Sequence, residues 1–128
     1  MEFIPGSDIK VFSNSGVDSH QLLFPENSSS ARVTITKVVI APGATSPRHR
    51  HQTSEQVWVA IAGDGTLLLA DARTQPFRAG DVVRFAEGDV HGFHNTGANP
   101  FVYLSVTSPP INFRQAYARP WSQDGGGA

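Results

Sequence analysis

The sequence contains no cysteine among its 128 residues. Disulfides, zinc–thiolate sites and cysteine nucleophiles are therefore excluded, and any metal ion has to be held by nitrogen and oxygen ligands. Charged residues are scarce at 16%, and the formal net charge is only −1. Because this balance indicates no basic surface, we expect a small-molecule ligand or substrate as the partner, with no nucleic acid and no membrane.

Long apolar runs are missing as well. No stretch approaches the roughly 20 residues that a membrane-spanning helix needs, and residues 1–10 lack the basic and apolar regions of a secretory leader. These absences favour a cytoplasmic protein. The length fits a single domain over residues 1–128, and the sequence shows no internal repeat and no second domain.

What the sequence does have is a series of short β-prone runs separated by 12 glycines and 9 prolines. This pattern is typical of an all-β sandwich or barrel. The Gly-Asp-Gly sequence at 63–65 is interpreted as a hairpin turn between two of these runs. The predicted strands cover residues 9–12, 21–24, 32–41, 56–62, 66–70, 82–85, 91–95 and 101–107.

The tail, residues 109–128, has a different pattern. Phe113, Tyr117 and Trp121 follow one another at intervals of four residues, which places them on one helical face. We predict a short helical or irregular segment that lays these rings on the barrel or on a partner subunit, although ordinary packing into the core explains the same spacing. Residues 123–128 are expected to be frayed.

Two of the five histidines, His49 and His51, are separated by one residue. On an extended strand both imidazoles lie on the same face. Burying two imidazoles is costly unless something binds them, and a metal ion is the usual solution. Taken alone, however, such a pair is more often part of an exposed polar strand than of a metal site.

The wider spacing is more specific. The first stretch reads Gly43-x5-His49-x-His51, followed by Glu55-Gln56 and Gly63, and the second reads Gly80-x5-Ala86-x-Gly88-x2-His91-x3-Asn95. These stretches resemble the two motifs of the cupin superfamily, G-x5-H-x-H-x3,4-E-x6-G and G-x5-P-x-G-x2-H-x3-N. The resemblance covers residues 43–95, with motif 1 at about 43–63 and motif 2 at about 80–95.

The resemblance implies a double-stranded β-helix, which is a jelly-roll type of antiparallel β-barrel, and commonly a homodimer. It also implies one divalent transition metal ion, held by His49, His51, His91 and a fourth ligand. Imidazole and oxygen ligands suit Zn, Ni, Fe, Mn, Co or Cu, so the ligand set leaves the metal's identity open. One or two coordination positions should stay open for water or substrate.

The fourth ligand is either Gln56 or Glu55. Only one of the two can point inward, because adjacent strand residues face opposite sides. Gln56 satisfies both motif spacings, and glutamine occupies this place in some family members that act on unsaturated uronic sugars. A β-bulge would instead bring Glu55 inward. We favour Gln56, and a neutral amide would leave the full +2 charge on the ion and thus favour Lewis-acid chemistry.

For the remaining candidate side chains, the position along a predicted strand indicates whether each one faces into the barrel or away from it. Trp58 and Phe93 share the parity of Gln56 and His91, so both could line a substrate pocket, although for each residue alone the barrel core is the more common place. His94 should face away from His91. Three arginines, Arg48, Arg50 and Arg84, could meet an anionic substrate, but solvated positions are the simpler interpretation.

One further position departs from the motif, because Ala86 stands where the family has proline. Since that proline shapes a turn, we expect its loss to loosen the loop without abolishing the site.

Three functions are compatible with these residues. The first is a metal-dependent enzyme that acts on a small oxygen-rich molecule, such as a sugar acid, keto acid or phenolic, by isomerase/lyase or dioxygenase-type chemistry. The alternative is a non-catalytic cupin that binds or senses a small molecule. The third is a metal-free structural barrel, which the intact set of three histidines argues against.

Overall fold

The computed structural model describes residues 1–121, and within them ten β-strands account for the regular structure besides three short 3-10 turns. The strands are β1 (Lys10–Asn14), β2 (Val17–Leu23), β3 (Thr34–Ile40), β4 (Thr45–His49), β5 (Glu55–Ala62), β6 (Asp64–Leu69), β7 (Thr74–Arg78), β8 (Val82–Phe85), β9 (His91–His94) and β10 (Phe101–Ser108). The 3-10 turns cover Gly6–Asp8, Ala70–Ala72 and Gln115–Tyr117. None of the helices in this part of the chain is long and apolar enough to cross a membrane.

The strands form two facing sheets. The larger has the order β1-β2-β3-β10-β5-β8 and the smaller the order β4-β9-β6-β7. Every recorded pairing is antiparallel, and side chains alternate between buried and exposed positions along β3 and β10. The predicted all-β jelly-roll barrel is thereby confirmed.

The interior has an apolar part and a polar part. Rings of Phe77, Phe93 and Phe101 pack against one another with centroid distances of 4.2 to 6.4 Å. On the larger sheet, by contrast, buried inward positions include serines, threonines and glutamines. Those polar positions are Ser19, Gln21, Thr34, Thr36, Gln56, Ser105 and Thr107. Polar residues at so many buried positions indicate that this part of the barrel surrounds a site rather than a close-packed core.

The Gly-Asp-Gly sequence at 63–65 does not form the predicted hairpin. β5 pairs with β10 and β8, whereas β6 pairs with β7 and β9. Residues 63–65 therefore carry the chain from the larger sheet to the smaller one. Gly63 adopts a φ of +91°, and a Cβ there would lie 2.9 Å from the carbonyl oxygen of Pro100. Both the dihedral angle and the close approach require glycine.

Two strands were not predicted, β4 and β7. Each contains a proline, Pro47 or Pro76, and a proline within a run argues against a central strand. Both strands lie at the edges of the smaller sheet, where a missing backbone donor does not interrupt the hydrogen-bond ladder.

The tail is irregular apart from the 3-10 turn at Gln115–Tyr117 and lies on the barrel. The ring of Tyr117 packs 6.2 Å from Phe12 and 4.7 Å from Trp121. The predicted fraying of residues 123–128 lies outside the described residues. The assignment of residues 1–128 to one domain stays a prediction.

Candidate metal centre

Three histidines converge at one end of the smaller sheet. His49 ends β4, His91 begins β9, and the two are register partners in the β4–β9 pair. His51 follows two residues after His49. One potential ligand atom from each of the three residues lies within 4.8 Å of the others, and the ring centroids are 4.4 to 5.2 Å apart. The predicted set of three imidazoles is thus brought together by the fold.

Hydrogen bonds to backbone carbonyl oxygens determine which ring nitrogen of His49 and of His91 is available to bind a metal ion. Nδ1 of His49 lies 2.8 Å from the carbonyl oxygen of Pro47, and Nδ1 of His91 lies 2.9 Å from that of Asp89. Because a carbonyl oxygen only accepts hydrogen bonds, each Nδ1 must carry the proton and donate it. Nε2 of both rings is then left with its lone pair, which is the tautomer that metal-binding histidines adopt.

Two of the Nε2 atoms also lack a partner within the described residues. Those of His51 and His91 are buried and make no hydrogen bond to residues 1–121. Buried polar atoms in native proteins are almost always satisfied. Two such nitrogen lone pairs beside a third imidazole are best satisfied by one Lewis acid that all three rings coordinate, and a divalent metal ion is such a Lewis acid. The residues present fit a transition metal ion.

Burial keeps these imidazoles neutral. It lowers the pKa of His49, and it lowers the pKa of His51 to about 4 and that of His91 to about 3. Repulsion from the neighbouring imidazolium charge adds to the effect at His51 and His91. Near pH 7 all three rings are therefore in the unprotonated form that a metal ion requires.

The ring of His91 is fixed by its neighbours as well as by its hydrogen bond. Phe85 stacks on it at 4.3 Å with an interplanar angle of 13°, and Trp58 stands perpendicular to it at 5.6 Å. His91 is only 1% exposed. Its orientation is therefore set before any ion binds, which lowers the entropic cost of binding.

The turn before His91 compensates for the missing motif proline. The carboxylate of Asp89 accepts a 2.8 Å hydrogen bond from the Ala86 amide, and the Asp89 amide donates to the Ala86 carbonyl oxygen at 3.1 Å. The amide of Gly88 donates to the carbonyl oxygen of His51 at 2.8 Å. Proline at 86 could not donate the first of these bonds, so hydrogen bonds hold the loop that we expected to be loosened.

Gln56 points into the barrel and Glu55 points out. Gln56 is 4% exposed, and its amide donates to Thr107 Oγ1 at 2.9 Å and accepts from Trp58 Nε1 at 3.0 Å. Glu55 instead accepts a 2.7 Å hydrogen bond from Arg84 on the outer face. The amide oxygen of Gln56 has two lone pairs. Trp58 uses one of them, and the other remains for a ligand.

A cavity of about 480 Å³ is lined by His49 and His51, whereas His91 lies behind them and is not among its lining residues. Its wall on the larger sheet carries the hydroxyl groups of Ser19, Thr36 and Ser105. Among the described residues 1–121 the lining contains no Asp or Glu, and it consists of Ser19, Thr36, Val38, Ser46, Pro47, Arg48, His49, Arg50, His51, Gln56, Trp58, Tyr103, Ser105, Phe113, Ala116, Tyr117 and Trp121. The permanently charged side chains in this described part of the lining are those of Arg48 and Arg50, so the cavity suits an oxygen-rich or anionic molecule.

The tail forms one wall of this cavity. Phe113, Ala116, Tyr117 and Trp121 all line it, and the ring of Phe113 lies 5.8 Å from that of His51. The sequence-based prediction placed these rings on the barrel or a partner, but not beside the histidines. No local pattern shows this contact, because it joins residues far apart in the chain.

Two contacts hold the tail in place. The buried side chain of Asn14 donates to the carbonyl oxygens of Arg119 (2.6 Å) and Tyr117 (3.3 Å) and accepts from the amide of Trp121 (3.0 Å). Glu26 accepts two hydrogen bonds from the guanidinium of Arg114, one from Nε at 2.7 Å and one from Nη2 at 2.5 Å. That guanidinium, as the largest cause, lowers the pKa of Glu26 to about 2.

The remaining predicted residues lie at different places. Trp58 lines the cavity, whereas Phe93 is fully buried against the core phenylalanines and is not among the lining residues. Nδ1 of His94 lies 2.8 Å from Thr45 Oγ1, away from the three histidines. Arg48 and Arg50 line the cavity, and Arg84 is on the outer face.

The serine and threonine hydroxyls of the larger sheet were missed by the sequence analysis. Ser19 is an example: it is 2% exposed, accepts a 2.8 Å hydrogen bond from Gln21 and is hydrogen-bonded to the hydroxyl of Tyr117. Residues 17–21 alternate strictly, but the inward set includes serine and glutamine. A register based on apolar residues therefore could not identify the inward face.

Comparisons with known proteins agree with this geometry. Residues 36–107 match the cupin domain. Auxin-binding protein 1 of Arabidopsis thaliana is 34% identical over 88 residues, a match that covers 62% of this chain and 44% of that protein. The chain thus spans less than half the length of this relative. The oxalate-binding protein of Thermotoga maritima is 24% identical over 90 residues, covering 70% of this chain and 74% of that protein.

A solved structure with the same fold is the polyketide cyclase RemF from Streptomyces resistomycificus. It superposes with a TM-score of 0.71 at 20% identity, covering 98% of this chain and 90% of that chain. At this identity the likeness establishes the fold, and the proteins that share it include enzymes as well as binding proteins. Since the cupin domain match covers more than half of the chain and contains all three histidines, the protein belongs to the cupin family.

Proposed function

We propose that the protein is a metal-dependent enzyme whose one divalent transition metal ion binds to His49, His51 and His91. The observation that carries this proposal is the pair of buried Nε2 atoms without hydrogen-bond partners beside a third imidazole. The inward amide oxygen of Gln56 supplies the fourth ligand. A bound ion of this kind polarises substrate oxygens and lowers the pKa of coordinated water.

The substrate is a small oxygen-rich molecule, and the reaction is of the isomerase or lyase type. Four neutral ligands would leave the full charge on the ion, which strengthens its Lewis acidity and gives no anionic stabilisation to a higher oxidation state. The chain's own residues position the substrate: the hydroxyls of Ser19, Thr36 and Ser105 bind its oxygens, and the tail excludes water from the cavity. Burial raises the pKa of Tyr117 to about 12, so its hydroxyl, beside Ser19, stays protonated and serves as a hydrogen-bond donor to a substrate oxygen.

A non-catalytic binding cupin is the second candidate. It is supported by the relatives named as an auxin-binding and an oxalate-binding protein. The part of the lining that the structure describes, within residues 1–121, carries no carboxylate, which leaves few groups there for general acid–base catalysis. In this alternative the same centre and the same wall of hydroxyl groups hold a ligand that is released unchanged.

Metal content is the first test. The purified protein should contain about one equivalent of a transition metal after reconstitution, and a His49→Ala/His51→Ala double variant should contain none. His94→Ala is the matched control, since this histidine bonds to Thr45 outside the centre, and it should keep the metal. Equal metal content in all three proteins would refute the site.

The reaction class is tested with the metal varied. Protein loaded with Zn or Ni is compared with protein loaded with Fe, on a panel of sugar acids, keto acids and phenolics, by product analysis and by oxygen uptake. Turnover with Zn or Ni and no oxygen uptake is expected. Oxygen uptake with Fe alone would favour dioxygenase-type chemistry. Saturable quenching of Trp58 and Trp121 fluorescence, with the ligand recovered unchanged for every metal, would favour the binding protein.

A further inference from the structure

Outside the metal centre, one buried side chain of the larger sheet has a polar atom that no contact satisfies. Gln21 lies on the inward face of β2 and is 0% exposed, and its Oε1 atom is buried without a hydrogen bond to residues 1–121. Glutamine is uncommon at fully buried positions, and buried polar atoms without partners are rare. An apolar side chain of similar size would fill the same space, so packing alone does not account for an amide here.

The orientation of the Gln21 amide is fixed by a backbone carbonyl. Its Nε2 atom donates to the carbonyl oxygen of Ser19 at 3.0 Å and to Ser19 Oγ at 2.8 Å. Because a carbonyl oxygen cannot donate, the atom that faces it has to be the amide nitrogen and not the amide oxygen. Both N–H groups of the amide are therefore used on Ser19, and Oε1 is left as an acceptor without a donor among the described residues.

This orientation also decides the role of the Ser19 hydroxyl. Its oxygen accepts from Gln21, and an amide nitrogen has no lone pair with which to accept in return. The Ser19 proton is therefore donated elsewhere, and the hydroxyl of Tyr117, which is hydrogen-bonded to Ser19, is an acceptor for it. A hydroxyl that accepts one hydrogen bond becomes a better donor of the next, because linked hydrogen bonds polarise one another.

Tyr117 is the last member of this series of hydrogen bonds. When its oxygen accepts from Ser19, its own proton is available to a molecule in the cavity, which both residues line. The group that receives this proton in a hydrogen bond must offer an oxygen lone pair, as a carboxylate or a carbonyl group does. Arg48 and Arg50 belong to the same lining and favour a negatively charged group.

The strand pairing next to Gln21 is irregular as well. Gln21 is the register partner of Thr36 on β3, and the register of the β2–β3 pair shifts between Gln21 and Leu23. Such a shift changes the direction of the side chains around it, and β-bulges are over-represented beside active sites. Since Thr36 and Ser19 both line the cavity, the irregularity lies in the strand pair that carries its wall of hydroxyl groups.

We propose that Gln21 is a positioning residue, which holds Ser19 as a donor to Tyr117 so that Tyr117 in turn donates to a carboxylate or carbonyl oxygen of the bound molecule. This inference rests on the proposed function, in which Tyr117 is a donor to a substrate oxygen. It adds the residue that sets the direction of the hydrogen bonds and the kind of group that they select. It also accounts for the unpaired Oε1, because the amide is held in the orientation that donates to Ser19.

The test follows the phenol oxygen of Tyr117 by Raman spectroscopy of the full chain without metal. The chain has two tyrosines, so Tyr103→Phe leaves Tyr117 as the one source of the tyrosine Fermi doublet. The ratio of the higher-frequency to the lower-frequency component is larger for a phenol oxygen that accepts a hydrogen bond than for one that only donates. In this background Gln21→Met should lower the ratio to that of Ser19→Ala, because Ser19 is no longer held as a donor. Gln75→Met removes an exposed amide on β7 and, as the matched control, should leave the ratio unchanged.

A double variant separates positioning from a merely structural role. If Gln21 acts through Ser19, adding Gln21→Met to Ser19→Ala should change the ratio no further, since residues of one hydrogen-bond network are not additive. Circular dichroism shows whether each variant is folded, and Gln21→Leu decides the question if Gln21→Met does not fold. A folded Gln21 or Ser19 variant with the unchanged ratio overturns the inference, and so does a further fall in the double variant.

The result is independent of the metal centre, because the spectra are recorded without metal. If the metal-content test fails while Gln21→Met lowers the ratio as expected, the proposed enzyme is refuted and the direction of the hydrogen bonds stands. If metal binds and the ratio does not change, the proposed function stands and Gln21 is not its positioning residue.

Discussion

At the scale of single residues, the inward amide of Gln56 is the position where the chemistry of the centre can be altered most directly. We predict that Gln56→Glu raises the affinity for a divalent metal ion at least about tenfold, because an anionic ligand then joins three neutral imidazoles. The same change should destabilise the metal-free protein, since a buried carboxylate without a positive partner is costly. Competition with a chelator measures the first effect, and urea unfolding of the metal-free protein measures the second.

The neighbouring residue provides the control for this prediction. Glu55→Gln alters a side chain that contacts Arg84 on the outer face, so it should leave the metal affinity unchanged. If Gln56→Glu and Glu55→Gln bind metal equally tightly, Gln56 is not a ligand, and its two hydrogen bonds serve only to orient Trp58 and Thr107.

The same scale shows what parity along a strand can predict. The motif spacing correctly placed Gln56 on the inward face. A shift of one residue in the strand register would instead have turned Glu55 into the barrel. Parity also assigned Trp58 and Phe93 to the interior, and both are buried. It could not tell which of the two lies beside the histidines, since that depends on how far along the barrel each strand begins.

At the scale of elements, the tail depends on one buried side chain, that of Asn14. We predict that Asn14→Ala loosens the tail, because three hydrogen bonds to residues 117–121 are lost, at a cost of about 1 to 3 kcal/mol in the free energy of unfolding. The chain has two tryptophans, and both line the cavity. The Trp58→Phe change leaves Trp121 as the one tryptophan of the chain. In that background, acrylamide should quench the fluorescence of Trp121 more strongly when Asn14 is replaced by Ala.

A control for this prediction lies on the same strand. Ser13 is exposed and bonds to Asp18, so Ser13→Ala should leave the quenching of Trp121 unchanged. Equal quenching in the Asn14→Ala and Ser13→Ala proteins would show that the tail is held by its ring contacts with Phe12 and by the Glu26–Arg114 pair rather than by Asn14.

Elements with strong local signals were predicted well, and those that depend on distant partners were not. The alternating run at 32–41 and the run at 101–107 correspond to β3 and β10, and 82–85 corresponds to β8. The strands β4 and β7 were missed because their prolines are tolerated only at a sheet edge. The crossing at Gly63 was mistaken for a hairpin, since consecutive strands usually pair and nothing local shows that the chain changes sheets.

At the scale of the whole molecule, metal binding and folding should be coupled. A ligand that binds only the folded state stabilises it by RT ln(1 + [L]/Kd), or about 2.7 kcal/mol at a hundredfold excess over Kd. We therefore predict that removing the metal with a chelator lowers the melting temperature, and that adding the metal back restores it. The His49→Ala/His51→Ala protein should melt at the same temperature with and without metal.

The stability of the metal-free protein should also depend on pH, because three imidazoles are buried in neutral form. In the unfolded chain a histidine titrates near its ordinary value of 6.5, whereas in the folded protein the pKa of His51 is about 4 and that of His91 about 3. As the pH falls below 6.5, the unfolded state takes up protons that the folded state cannot. Stability then declines by about 1.4 kcal/mol per pH unit for each proton.

The measurement is the urea midpoint of the metal-free protein at pH 7.5 and at pH 5.0. The midpoint should be clearly lower at pH 5.0, and His91→Leu, which removes the histidine whose pKa is lowered to about 3, should reduce the difference. Carboxylates do not account for the decline, since their ordinary pKa values of about 4 lie below this window. A midpoint that is the same at both pH values would mean that the buried imidazoles take up protons in the folded protein as readily as in the unfolded chain, so that burial does not keep them neutral.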